Sequence, residues 1–189
     1  MTEEIATYKE FVRRLSDNND ERVFLNSSPS HAVVVTTQIF RKSKDTVRIF
    51  AKNLCRTIGN DPEYIAALSD FIERGGKVRI LLNGYEESCA ILSNLYKRLA
   101  YYKSLGNDII VKTTDAKPYL SSDMAKKEVH FTIGDKTAYR IETDIENKTA
   151  QCSMNNPSVA EVVADFFDTQ FSSNSAQPID LLTLFGYDK

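Results

Sequence analysis

The sequence predicts an α/β fold, a three-layer αβα sandwich around a mixed, mostly parallel sheet. Two observations carry this. Three short apolar runs, T-V-R-I-F-A (46–51), K-V-R-I-L-L-N (77–83) and D-I-I-V-K-T (108–113), alternate with segments of helical period. Strands joined through helical crossovers run parallel. Further on, three strand-like runs at 127–134, 137–143 and 148–154 follow each other with only turns between them, which adds antiparallel pairs. At 189 residues, 42% hydrophobic and 26% charged, the chain is long enough to bury a substantial core.

Each element has its own reason. Ile5, Tyr8, Phe11, Val12 and Leu15 recur at helical spacing behind Glu3 and Glu4, which suit the positive end of a helix dipole. Ser28 and Pro29 read as the cap and first residue of a second helix. Its V-V-V-T-T run is β-branched, but Ala32, Val35, Ile39 and Phe40 share one helical face. Asp61-Pro62-Glu63 opens a helix with Ile65, Leu68, Phe71 and Ile72 inward, and Gly75-Gly76 closes it. Residues 87–104 read as one helix with Ile91, Leu95, Leu99 and Tyr102 on its core stripe, ended by Gly106. Residues 115–127 carry Pro and polar residues without period and read as a long loop. Gly134-Asp135-Lys136 joins the next two strands as a hairpin turn. Asn156 and Pro157 begin a last long helix with Val159, Val162, Val163, Phe166 and Phe167 inward. The division expected is an N-terminal helix and connection (1–27), an α/β domain (28–171), and a linker with a short apolar tail (172–189).

Composition excludes several functions. The net charge is −2, so the chain as a whole offers no surplus of cations to a phosphate backbone. Cys55, Cys89 and Cys152 are odd in number and far apart, neither a disulfide framework nor a zinc pattern. The N-terminal stretch lacks the apolar core of a signal peptide, and no apolar run approaches a membrane span. A soluble, cytoplasmic protein without cofactor or membrane contact is expected.

The order of elements resembles one half of the phospholipase D-like superfamily. "LSDFIERGGKVRILLN" looks like that family's helix, double glycine and strand; "YYKSLGNDIIVKT" like its next helix and strand; "MNNPSVAEVVADFFDTQF" like its closing strand and helix. The likeness covers roughly residues 30–171. It implies phosphodiesterase or phosphatidyltransferase chemistry from an H-x-K-x4-D signature. In that chemistry the His attacks phosphorus, the Lys steadies the phosphate, and no metal takes part. Single-motif members complete the site by pairing as homodimers. Laid on this chain, Glu128 stands at the nucleophile position, His130 at the lysine and Asp135 at the aspartate. Glu142 and Thr143 fall on the Gly-Ser positions and Ile145 on the Asn. Only Asp135 matches. Glu128 and Glu142 bring negative charge to a place where phosphoryl transfer needs positive groups.

Residues two apart on a strand share a face, so Glu128, His130 and Thr132 lie opposite Val129, Phe131 and Ile133. With the turn at 134–136, His130 is expected across from Arg140 and Glu128 across from Glu142. The catalytic candidates are His130 and Asp135, and the ligand-binding candidates are Glu128, Arg140 and Glu142. The cluster reads in three ways: an internally paired polar network, a ligand pocket, or a catalytic site. Two carboxylates and a His could hold a metal, but Arg140 in the same cluster opposes it, and none is expected. His31, near a helix start, reads as a surface residue. Tyr96, Lys97, Arg98, Tyr101, Tyr102 and Lys103 mix aromatic and basic side chains, as stacking platforms for single strands do, but the same mixture serves a helix flanking a core. The function expected is a degenerate phospholipase D-like domain acting as a binding or regulatory module. The alternative is a phosphodiesterase or nuclease working as a homodimer through His130. Partners expected are a second copy of the chain, with a protein or a nucleotide or nucleic-acid ligand also open.

Overall fold

The computed structural model describes residues 2–55, 57–122 and 125–187. Helix α1 (Glu3–Asp17) starts at a Thr2 cap and buries Val12 and Leu15. A three-residue strand β1 (Phe24–Asn26) leads into α2 (Pro29–Lys42), whose Ser28 cap accepts from the His31 amide. The β-branched run stays helical because residues 32–37 are all buried, so tertiary packing overrides propensity. The Thr36 and Thr37 hydroxyls turn back to the carbonyls of Ala32 and Val34.

Strand β2 (Thr46–Ala51), a short 3-10 turn (Thr57–Asn60), α3 (Pro62–Glu73) and β3 (Lys77–Leu82) follow. Gly75 ends α3 at φ +88°, which only glycine adopts without strain. The expected helix over 87–104 is two, α4 (Glu87–Leu92) and α5 (Asn94–Ser104). They break at Ser93, whose extended backbone caps both and whose hydroxyl donates to Asn60. Leu95, Leu99 and Tyr102 are buried as expected, but Ile91 sits on the segment that swings outward and is 42% exposed. Strand β4 (Ile109–Thr113) completes the parallel set β2–β3–β4.

The stretch read as a loop over 115–127 contains a separate ribbon, β5 (Tyr119–Ser122) against β6 (Ala125–Glu128). Its A-K-K-E half has no apolar alternation to reveal a strand. Asp123 and Met124 lie outside the described residues. The run 127–134 is therefore split: Glu128 ends β6, and β7 (Phe131–Gly134) begins after His130. Strands β8 (Ala138–Asp144) and β9 (Thr149–Ser153) follow, then α6 (Pro157–Phe171), capped by Asn156. Phe167 of α6 is fully buried, whereas Val162 faces outward at 70% exposure.

The eight-stranded sheet runs β1-β9-β8-β7-β2-β3-β4, with β10 (Gln177–Pro178) at the far edge. It is mixed, as expected, but mostly antiparallel rather than mostly parallel. Only β2–β3 and β3–β4 are parallel; the other five neighbouring pairs are antiparallel. The reason lies in the connections. Helical crossovers link only those three strands, tight turns link β7, β8 and β9, and the edge strands β1 and β10 are too short to show in the sequence.

One face of the sheet packs Phe50, Phe131, Ile133, Tyr139 and Ile141 against α6. The other packs Ile49, Val78, Ile80 and Val111 against α3 and α5, and Ala138, Ala150 and Cys152 against α1 and α2. The tail folds back on its own chain: β10 pairs with β4, and α7 (Leu181–Phe185) seats Leu181 in the core shared with α5. Ala176, at the end of the stretch expected to be linker, is buried.

Candidate functional site

The β7–β8 hairpin decides which polar side chains meet. Gly134 pairs with Ala138 and Thr132 with Arg140, and the Glu142 amide donates to the His130 carbonyl at 2.7 Å. The expected register, His130 across from Arg140, is thus displaced by two. The turn spans Asp135, Lys136 and Thr137, with Asp135 and Lys136 in the left-handed region at φ 49° and 57°. A shift of two keeps every side chain on its face, so the cluster survives with new partners.

His130, Arg140 and Glu142 are 8%, 5% and 4% exposed. Arg140 donates from Nε to Asn26 Oδ1 (2.8 Å), from Nη1 to Glu142 Oε1 (3.0 Å) and from Nη2 to the Lys148 carbonyl (3.1 Å). Glu142 turns its other oxygen, Oε2, toward His130 Nδ1 at 3.4 Å. Burial pushes the Glu142 carboxyl up, but the His130 hydrogen bond and the charges of Arg140 and Lys148 outweigh it and hold it below the ordinary carboxylate value. His130 Nε2 stands 3.8 Å from Glu128 Oε1 and has no hydrogen-bond partner among the described residues. Glu128 itself accepts from Asn83 Nδ2 at 2.7 Å.

His130, Arg140 and Glu142 line a cleft of about 200 Å³ at the carboxyl end of β2, the end of a parallel strand where α/β sheets place ligands. Ile49, Ala51 and Thr132 form part of its lining, Thr36 and Tyr64 come from the helices above, and Lys52 and Lys148 stand on the flanking loops. Among the described residues no group of three His, Cys, Asp or Glu side chains could hold a metal ion.

Asp135 does not join the cluster. It sits at the other end of β7, where its carboxylate accepts from the amides of Lys44 (2.6 Å), Asp45 (3.0 Å) and Thr46 (2.9 Å). The structure thus brings together His130, Glu128, Arg140 and Glu142 and gives Asp135 a backbone-capping place. Asn26, Asn83, Lys52 and Lys148 belong to the site but carry no signal in the sequence. Asn26 arrives from an edge strand more than a hundred positions away, through a pairing only the finished sheet reveals.

His31 is not a surface residue. Its ring stacks on Tyr8 at 3.9 Å, and Nε2 is buried without a hydrogen-bond partner among the described residues. On α5, Tyr96 and Tyr102 are buried and Tyr101 is exposed, while Lys103 Nζ donates to the Ile109 carbonyl. No helix of the described residues is long and apolar enough to cross a membrane.

No family model and no curated protein matches the sequence. Solved structures match the fold. TrmBL2, an archaeal chromatin protein whose structure shows a novel mode of DNA binding, superposes with a TM-score of 0.58 at 12% identity over 92% of this chain. This chain spans only 61% of that one. Nuc from Salmonella typhimurium, a phospholipase D family member, gives 0.54 at 17% identity, covering 84% of this chain and 96% of Nuc. Phosphatidylserine synthase of Haemophilus influenzae Rd KW20 gives 0.53 at 10% identity, covering 86% of this chain and 40% of the synthase. The chain therefore has a phospholipase D-like α/β fold.

Proposed function

We propose that this chain is a phospholipase D-like domain that binds a ligand in the cleft without hydrolysing it, a binding or regulatory module. The observation that carries the reading is the confinement of His130. The imidazole is nine-tenths buried between Glu142 and Glu128, and Arg140 is committed to Asn26, Glu142 and a carbonyl. At His130 itself a phosphoryl centre would meet the Glu142 and Glu128 carboxylates where it needs cations. The test is turnover of bis(4-nitrophenyl) phosphate by the full chain, with and without added divalent metal. No turnover above a protein-free control is expected; turnover abolished by His130→Ala overturns the reading.

A second reading, a phosphodiesterase or nuclease acting as a homodimer through His130, is favoured by one observation. The carboxylate at Nδ1 and an unpartnered Nε2 on the cleft wall are what a nucleophilic or basic imidazole needs. The likeness to Nuc and to a DNA-binding chromatin protein adds to it at the level of fold. The same turnover assay, run over a range of protein concentration, separates the two.

A further inference from the structure

Resting on the reading of the cleft as a binding site, we infer that its ligand is a small hydroxylated carboxylate, a molecule carrying one acid group and at least one hydroxyl. Three features of the cleft set these demands. The first is the His130 ring. Nδ1 faces the ionised Glu142 carboxylate at 3.4 Å, so Nε2 is the ring nitrogen left for a ligand. Nε2 is buried and lacks a partner among the described residues. A buried polar atom left unmade is costly, and a hydroxyl, which both donates and accepts, serves Nε2 with or without its proton. Acetate, sulfate and fully ionised phosphate can only accept.

The second feature is charge. Lys52, Lys148 and Arg140 face the cleft with Glu142, and Glu128 lies just behind His130. Setting the imidazole aside, three cations against two carboxylates leave about one positive charge, which a single carboxylate balances and a dianion exceeds. Among the described residues Arg140 spends three of its five N–H groups inside the protein, so its guanidinium retains donors as well as charge. The third is size and lining. At about 200 Å³ the cleft is smaller than the range that holds drug-sized ligands. Ile49, Ala51, Leu54, Ile58 and Ile145 supply apolar wall for a short carbon skeleton.

The chain contains only two histidines, which makes the test direct. Nitrogen-15 spectra of the imidazoles are recorded while D-gluconate, propionate or glycerol is added, and affinities are measured by calorimetry. D-gluconate is expected to move the His130 Nε2 resonance and leave His31, on α2, as an internal reference. It should bind at least about tenfold more tightly than propionate, which lacks the hydroxyl, or glycerol, which lacks the acid. H130F should erase that preference. Propionate binding as tightly as gluconate, or an unchanged preference in a folded H130F, overturns the inference. If H130F does not fold, K52A on the exposed rim carries the test: gluconate and propionate must weaken together, and unchanged gluconate affinity overturns it. Bis(4-nitrophenyl) phosphate is the control for the underlying reading. If it moves the His130 signal and gluconate does not, the ligand class is wrong and the binding cleft stands. If neither moves it, both fall.

Discussion

Arg140 and Glu142 form a buried pair: remove the guanidinium and, among the described residues, the carboxylate keeps only His130 beside it. Arg140→Ala should therefore cost roughly 3 kcal/mol, the usual penalty for breaking such a pair from one side. Glu128→Gln should cost well under half of that, because Glu128 is partly exposed and Gln keeps an acceptor for Asn83. Urea denaturation of both variants checks the ranking, and equal midpoints would contradict the network. Glu142 also predicts a pH response. Its folded carboxyl titrates below the ordinary value of 4.5, so folding favours the charged form. That contribution is complete above about pH 4.5 and drains away as pH falls through the lower folded value. Melting temperature should drop on the acid side of this window, and the drop should be shallower in Glu142→Gln; a parallel acid limb in both proteins would refute the assignment.

Among elements, the α2–β2 connection and the β7–β8 turn hold one another. Asp135 accepts three amides from residues 44–46, and the missing Cβ of Gly134 leaves room for the Ser43 hydroxyl, which would stand 2.2 Å from it. Asp135→Ala should lower stability by about 2 kcal/mol through orphaned amides while leaving ligand binding in the cleft unchanged, as calorimetry on the folded variant will show. Loss of binding without loss of stability would return Asp135 to the site. The same region shows what was legible beforehand. The faces of β7 and β8 were readable because alternation has period two, so Thr132, Arg140 and Glu142 could be grouped; Glu128 and His130 joined them only by carrying that period back past the start of β7. Their pairing was not, because it depends on whether the turn closes at 134–136 or 135–137, and two consecutive left-handed non-glycine residues leave no compositional mark. The parallel strands and their helices were readable from Gly75-Gly76 and from Asp61-Pro62. Strands of two or three residues, such as β1 and β10, were not, since they exist only by pairing with a neighbour already in place.

For the molecule as a whole, the tail is part of the core and not an appendage. A chain ending at Asn174 loses β10 and the buried Leu181, and should melt several degrees lower than the full chain, as expected from losing a buried leucine. We propose that the full chain is a homodimer; light scattering at a range of concentrations decides it, and a monomer throughout refutes it. If the shortened chain also dimerises, the interface lies away from the tail. The sheet order carries a further consequence, for synthesis. Strands β2, β3 and β4 are complete once residue 113 has left the ribosome, but the strand that sits against β2 on its other side is β7, and β1 waits for β9. The early half must therefore stand for a time with one flank of β2 open and the N-terminal strand unmatched. Pairings across such sequence distances form late. The cleft, with its floor from β2 and its charged wall from β8, can exist only after that wait. A nascent chain stalled before residue 144 has emerged should be blind to the ligand however well its parallel half has folded.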